Sequence, residues 1–168
     1  MICSFGGKTP QIAPSAFVSE AAYIVGEVEI GEGSSVWPGV VIRGDGGLVR
    51  IGRNTNIQDN SVVHSNSPMD IGDEVTLGHS VVVEGMRLGN HVLIGNNATV
   101  LPGVEVGDYS IVAANAVVLP DTKIPPYSFV VGIPATIKAR VTEEQLARNK
   151  HTVEDYCALA QAYRTEGR

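Results

Sequence analysis

A six-residue beat of aliphatic side chains governs what this chain can fold into. It runs through Val18, Ile24, Ile30, Val36 and Ile42, then Ile51, Ile57 and Val63, then Ile71, Leu77 and Val83. A last run holds Leu88, Ile94, Val100, Val106, Val112, Val118, Ile124 and Val130. A helix places apolar residues three and four apart and a half-buried strand alternates them, so neither has a period of six. A short strand followed by a sharp turn does have it, when each aliphatic points into a narrow prism. Three hexads then make one triangular rung, and rungs stack at about 4.8 Å, the spacing of paired strands. Each rung buries its aliphatics against the next, which gives a quasi-one-dimensional core. A β-sandwich of short strands does not hold a fixed hexad register for so long. Glycine often follows the aliphatic, as at Gly31, Gly52, Gly72 and Gly89. That predicts unusual dihedrals or a close backbone approach at the turn.

Composition fits such a prism. Of 168 residues, 43% are hydrophobic, only 5% are aromatic and 19 are glycine. The formal net charge is -6 and no basic run is present, which argues against a nucleic-acid partner. Cys3 and Cys157 are far apart and lack ligand spacing. With no secretory pattern at the N-terminus, they point to a reduced, cytoplasmic setting. The apolar stretches are too short for a membrane span.

Taken in order, residues 1–16 read as a lead-in, 17–141 as the repeat domain and 142–168 as a C-terminal helix. The helix pattern rests on Leu146, Val153, Tyr156, Cys157, Ala160 and Tyr163, behind a Thr142/Gln145 capping box. A break near His151-Thr152 is compatible with it. The helix is expected along the coil wall or on a neighbouring chain. The beat lengthens from Ile42 to Ile51 and from Val63 to Ile71, and shortens from Val83 to Leu88. Insertions on a rigid scaffold commonly carry function.

Polar residues gather beside these irregular points. Counting along the beat puts Arg43, His64 and Glu84 in one column on successive rungs, and Asp59 and His79 in another column on a different face. His64 and Glu84 are placed to share a divalent ion. His79 is poorly placed to join them within one chain and would have to meet their column across an interface between copies. Two histidines and a carboxylate are a common catalytic zinc set. The bland alternative is a set of solvated surface residues with His79 paired to Asp59. His91 offers a third imidazole, on a different face from the column.

The segments Val41–Asp45, Val49–Gly52, Thr55–His64 and Ile71–His79 recur in that order in γ-class carbonic anhydrases, and the chain resembles that family over nearly its whole length. The resemblance extends to Val131–Ala135 and to the helix with Tyr156. It implies a left-handed parallel β-helix of hexapeptide repeats, a homotrimer with sites between subunits, and zinc, or iron or cobalt, as cofactor. His64 and His79 match two of the family's three metal-binding histidines. Arg43 and Asp45 match its interface salt bridge. Gln58, Asp59 and Asn56 match pocket residues, and Tyr156 matches a tyrosine that lines the cleft. Glu84 stands where the family has its third histidine. As a ligand it would make the metal less Lewis-acidic and its bound water less acidic. Gly46 and Gly47 follow Asp45, and Asp70 is the one acidic residue in the short loop after His64, so the family's acidic proton shuttle is missing as well.

The expectation from the resemblance is reversible hydration of carbon dioxide to bicarbonate by a metal-bound hydroxide, slowed by the Glu84 change. Two rivals stand beside it. One is acyl transfer from a thioester by a histidine base, which the repeat class supports although the Arg43–His79 motif is not that of acyltransferases. The other is a non-catalytic, metal-binding or assembly scaffold. Met69 and Met86 read as local filling, and Trp37 as cover for a coil edge or an interface.

Overall fold

The hexad aliphatics stack in three columns inside one prism. A computed structural model describes residues 1–167. On the first face Val18, Val36, Ile57, Leu77, Ile94, Val112 and Val130 lie in parallel register. On the second face the column is Ile24, Ile42, Val63, Val83, Val100 and Val118. The third carries Ile12, Ile30, Ile51, Ile71, Leu88, Val106 and Ile124. Most are fully buried in one continuous cluster. Burying each aliphatic contributes about 1.5–3 kcal/mol. The chain is therefore a parallel β-solenoid with one C-terminal helix.

An eight-stranded sheet forms the first face and a twelve-stranded sheet forms the other two. The second sheet wraps two faces because strands Tyr23–Ile30 and Val41–Ile51 turn the corner without a break. The lengthened interval from Ile42 to Ile51 is thus not a free loop. It stays in the sheet as a bulge, with Gly26 paired to Gly44 and Val28 to Val49. The N-terminal strands Ile2–Cys3 and Gln11–Ile12 already pair in parallel with Tyr23–Ile30. At the far end Thr136–Arg140 pairs antiparallel with Ser128–Val131.

Each face meets its surroundings differently. The outward residues of the third face are Gln11, Glu29, Arg50, Asp70, Arg87, Glu105 and Lys123, a ladder of mostly alternating charge. Arg50 bonds Glu29 and Asp70 at 2.9 Å each, and Lys123 bonds Glu105 at 3.0 Å. Exposed pairs of this kind add little stability and keep the face in water. The helix Glu143–Thr165 lies on the first face against strands Phe17–Val18, Ser35–Val36, Asn56–Ile57 and Thr76–Leu77. It is continuous through His151-Thr152 and starts at the Thr142/Gln145 capping box. Trp37 anchors it, with ring centroids 5.4 Å from Tyr156, 5.1 Å from Tyr163 and 5.1 Å from Phe17. Arg164 fixes the other end through the carbonyls of Ser15 and Pro14, at 2.8 and 2.7 Å. The second face has no such cover. Its outward ladder is Tyr23, Val41, Val62, Val82, Thr99 and Val117, an apolar stripe. No helix of the described residues is long and apolar enough to cross a membrane.

Candidate functional site

Of the sequence-predicted residues, Arg43, Asp45, His64 and Glu84 lie at one edge of this valine face and Asp59 and His79 at the other. At the edge shared with the charged face, Arg43 and His64 are register partners just beyond Ile42 and Val63. Arg43 Nη2 lies 3.0 Å from His64 Nε2, and Asp45 Oδ1 lies 3.3 Å from the same nitrogen. Arg43 and Asp45 meet at 3.6 Å. A guanidinium only donates and a carboxylate only accepts, so Arg43 calls for a bare Nε2 and Asp45 for a protonated one. Glu84 shares a cleft of about 140 Å³ with His64, closed by Ser65–Ser67, Pro102 and Gly103. The glycines after Asp45 have a packing cause. A Cβ on Gly46 would lie 2.6 Å from Ser65 O, and one on Gly47 would lie 2.7 Å from the Ser67 carbonyl carbon. The two insertions stack backbone against backbone, and this supports the His64 edge.

At the opposite edge, Asp59 and His79 sit on successive rungs, with His79 Nδ1 3.0 Å from Asp59 Oδ2. Both side chains are well exposed. Among the described residues no other group takes the imidazole. Asn56 and Gln58 lie elsewhere, beneath the helix on the first face, 1% and 5% exposed. Gln58 Nε2 donates to Asn56 Oδ1, and Asn56 Nδ2 donates to Thr76 Oγ1, each at 3.0 Å. Tyr156 packs edge-on against Trp37. Burial, and then the charge of Asp59, pushes its phenol above the ordinary value. His91 is at the third corner, away from the valine face, with Nδ1 3.2 Å from Glu74 Oε2.

The expected cofactor is corrected by this arrangement. Among the described residues, no group of three or more His, Cys, Asp or Glu side chains comes close enough to hold a metal ion. His79 is tied to Asp59 at one edge of the face, and His64 faces Arg43 and Asp45 at the other. A zinc, iron or cobalt site of His64, His79 and Glu84 is not assembled within one chain.

These features define a β-solenoid with a histidine–carboxylate pair at either edge of one uncovered apolar face. The model of the bacterial transferase hexapeptide (six repeats) matches residues 85–120, and that of the hexapeptide repeat of succinyl-transferase matches residues 68–100. A protein of Geobacillus kaustophilus named carbonic anhydrase is 43% identical over 98% of this chain and 91% of its own length. The mitochondrial gamma carbonic anhydrase 1 of Arabidopsis thaliana is 42% identical over 95% of this chain, which spans 61% of that protein's length. A Bacillus cereus structure described as a putative acetyltransferase superposes with a TM-score of 0.95 at 33% identity, covering 98% of this chain and 96% of that one. A hexapeptide transferase family protein of Anaplasma phagocytophilum gives 0.93 at 33% identity, over 96% and 97% of the two chains. The chain belongs to the hexapeptide-repeat, left-handed β-helix family related to γ-carbonic anhydrases and hexapeptide acyltransferases.

Proposed function

We propose that three copies of this chain pack through their valine faces, and that the His79–Asp59 pair in the resulting cleft is the general base of an acyl transfer from a thioester. The observation that supports this most directly is the 3.0 Å contact from His79 Nδ1 to Asp59 Oδ2. A carboxylate there orients the ring with its proton on Nδ1 and leaves Nε2 as the acceptor. Nε2 takes the proton of an amine or hydroxyl as that group attacks the thioester carbonyl carbon. The carbon–sulfur bond of the adduct then breaks, and the imidazolium returns the proton to the departing sulfur. A neighbour's Arg43, always charged, sits at the facing edge and offsets the negative charge that develops on the adduct oxygen. The acetyltransferase and transferase descriptions of the well-superposed structures favour this class of chemistry. Hydration of carbon dioxide, the activity in the names of the sequence relatives, is the second reading, and identity of 42–43% over almost the whole chain favours it.

One set of assays separates the readings. Thiol release from short acyl-coenzyme A thioesters, with an amine acceptor and a chelator present, is expected to persist. His79→Asn and Asp59→Asn are each expected to lower kcat/KM about 10²–10⁴-fold without changing native mass. Thioesters left intact by a preparation that hydrates carbon dioxide would move the assignment to the second reading. A trimer inert in both assays would make the protein an assembly scaffold.

A further inference from the structure

The corner opposite the valine face carries a feature that the site above does not use. It is a run of side chains on left-handed backbone. Glu74, His91, Tyr109 and Tyr127 have φ of 55°, 57°, 60° and 62°. Bulky residues rarely adopt this region and are strained there. Stacking offsets part of the strain. The His91 and Tyr109 rings lie 4.4 Å apart and 12° from parallel, and Tyr109 and Tyr127 lie 4.9 Å apart and 6° from parallel. Arg140 closes the ladder 4.5 Å over Tyr127, and Glu74 holds His91 from below.

Between this ladder and the helix opens a cleft of about 420 Å³, within the range of small-molecule sites. Leu146, Ala147 and Val153 give it an apolar wall, and Glu74, His91 and Tyr109 form the other side. Asn149 lines it too and is 5% exposed. Its Nδ2 donates to His91 O at 3.1 Å. That carbonyl only accepts, so the amide cannot be turned round. Asn149 Oδ1 is then left without a partner, the one buried side-chain nitrogen or oxygen so left among the described residues. A buried acceptor of this kind costs about 1–3 kcal/mol when nothing donates to it.

Two demands on a ligand follow. It must bring a hydrogen-bond donor for Asn149 Oδ1. It must also suit ring edges, because Tyr109 has a ring on both faces and offers the cleft only its edge and hydroxyl. Aromatic edges are electropositive and prefer the π-face of a partner. We propose that this cleft binds a planar heteroaromatic ligand bearing an amino group, the chemistry of a nucleobase. The amino group donates to Asn149 Oδ1, and the ring lies between the ladder edges and the Leu146–Val153 wall. The site lies away from the valine face, so it stays open in an assembly built through that face, and it does not depend on the acyl-transfer reading.

Calorimetric titration of the full chain with adenosine and with cytidine tests this. Saturable binding of one equivalent per chain is expected for at least one of them. Purine riboside, which lacks the amino group, is expected to bind about tenfold or more weakly than adenosine. Asn149→Leu removes the acceptor, and Ala147→Phe fills the cleft from an exposed position. Each is expected to weaken binding about tenfold or more while circular dichroism and native mass stay unchanged. No saturable heat with either nucleoside overturns the proposal. So does nucleoside binding that neither substitution weakens, or equal affinity for adenosine and purine riboside.

Discussion

The turns divide two tasks between residues that the sequence shows side by side. Glycines after the core aliphatic, such as Gly31, Gly52 and Gly72, do not have positive φ. Their requirement is close approach. A Cβ on Gly52 would lie 2.5 Å from the Gly72 carbonyl oxygen on the next rung. The left-handed backbone falls two residues later, at Asn54, Glu74 and His91. Gly52→Ala should therefore force two rungs apart and cost about 1–3 kcal/mol, measured by urea unfolding. A second residue-scale prediction concerns pH. Burial first, then Glu74 and Glu154, raises the Cys157 thiol, and burial with Asp59 raises the Tyr156 phenol. In both cases the folded state holds its proton after the unfolded state has begun to lose it. The stability this contributes is full below the unfolded values, about 8.5 for Cys and 10 for Tyr, and is lost as pH rises above them. Alkaline unfolding should accordingly be shallower in Tyr156→Phe than in the parent, and at pH 8 Cys157 should be alkylated more slowly than the unburied reference rate. The aliphatic columns were legible because one inward residue per hexad is a pattern of the chain itself. The Arg43 contact to His64 Nε2 was not, because it depends on how far one side chain reaches across a rung.

At the scale of elements, the C-terminal helix shows what tertiary contacts add to a readable signal. Its capping box and continuous length follow from Thr142, Gln145 and the absence of proline or glycine from Glu143 to Thr165. Its buried stripe is thin, with only Asn149, Val153 and Ala160 fully covered. Docking therefore rests on the aromatic cluster of Trp37, Phe17, Tyr156 and Tyr163. Trp37→Ala should cost about 3–5 kcal/mol. The solenoid has its own core, so the loss should appear as early release of the helix. Proteolysis at Arg148 or Lys150 well below the main unfolding transition is the readout, and a single cooperative transition for both parts would contradict it. The bulged strand Val41–Ile51 is the converse case. Spacing alone marked an interruption, yet pairing with Tyr23–Ile30 on one side and with Val62–His64 and Met69–Ile71 on the other keeps it in the sheet.

For the whole molecule, three faces of one prism have three different fates, and the outward residue of each hexad decides which. The charged ladder keeps one face in water, the helix covers another, and the valine face has neither charge nor cover. Contiguous apolar stripes of this kind are surfaces through which proteins associate, which is the ground for the proposed trimer. A second copy supplies the most economical cover, because closed symmetric assemblies repeat one contact. The proposed trimer also brings the His79 edge of one copy against the Arg43 and His64 edge of the next. Native mass spectrometry should therefore give three chains for the parent. Val62→Asp with Val82→Asp puts two charges into the centre of the stripe, where leaving a charge unpaired in an interface costs several kcal/mol. The doubly substituted chain should be monomeric with its circular dichroism preserved, since both side chains point away from the prism core. Its thioester turnover should be lost with the assembly even though His79 and Asp59 are untouched. Glu105→Gln on the charged face should leave mass and turnover unchanged. A parent that is monomeric at micromolar concentration, or a Val62→Asp/Val82→Asp trimer, would remove the basis for a shared site.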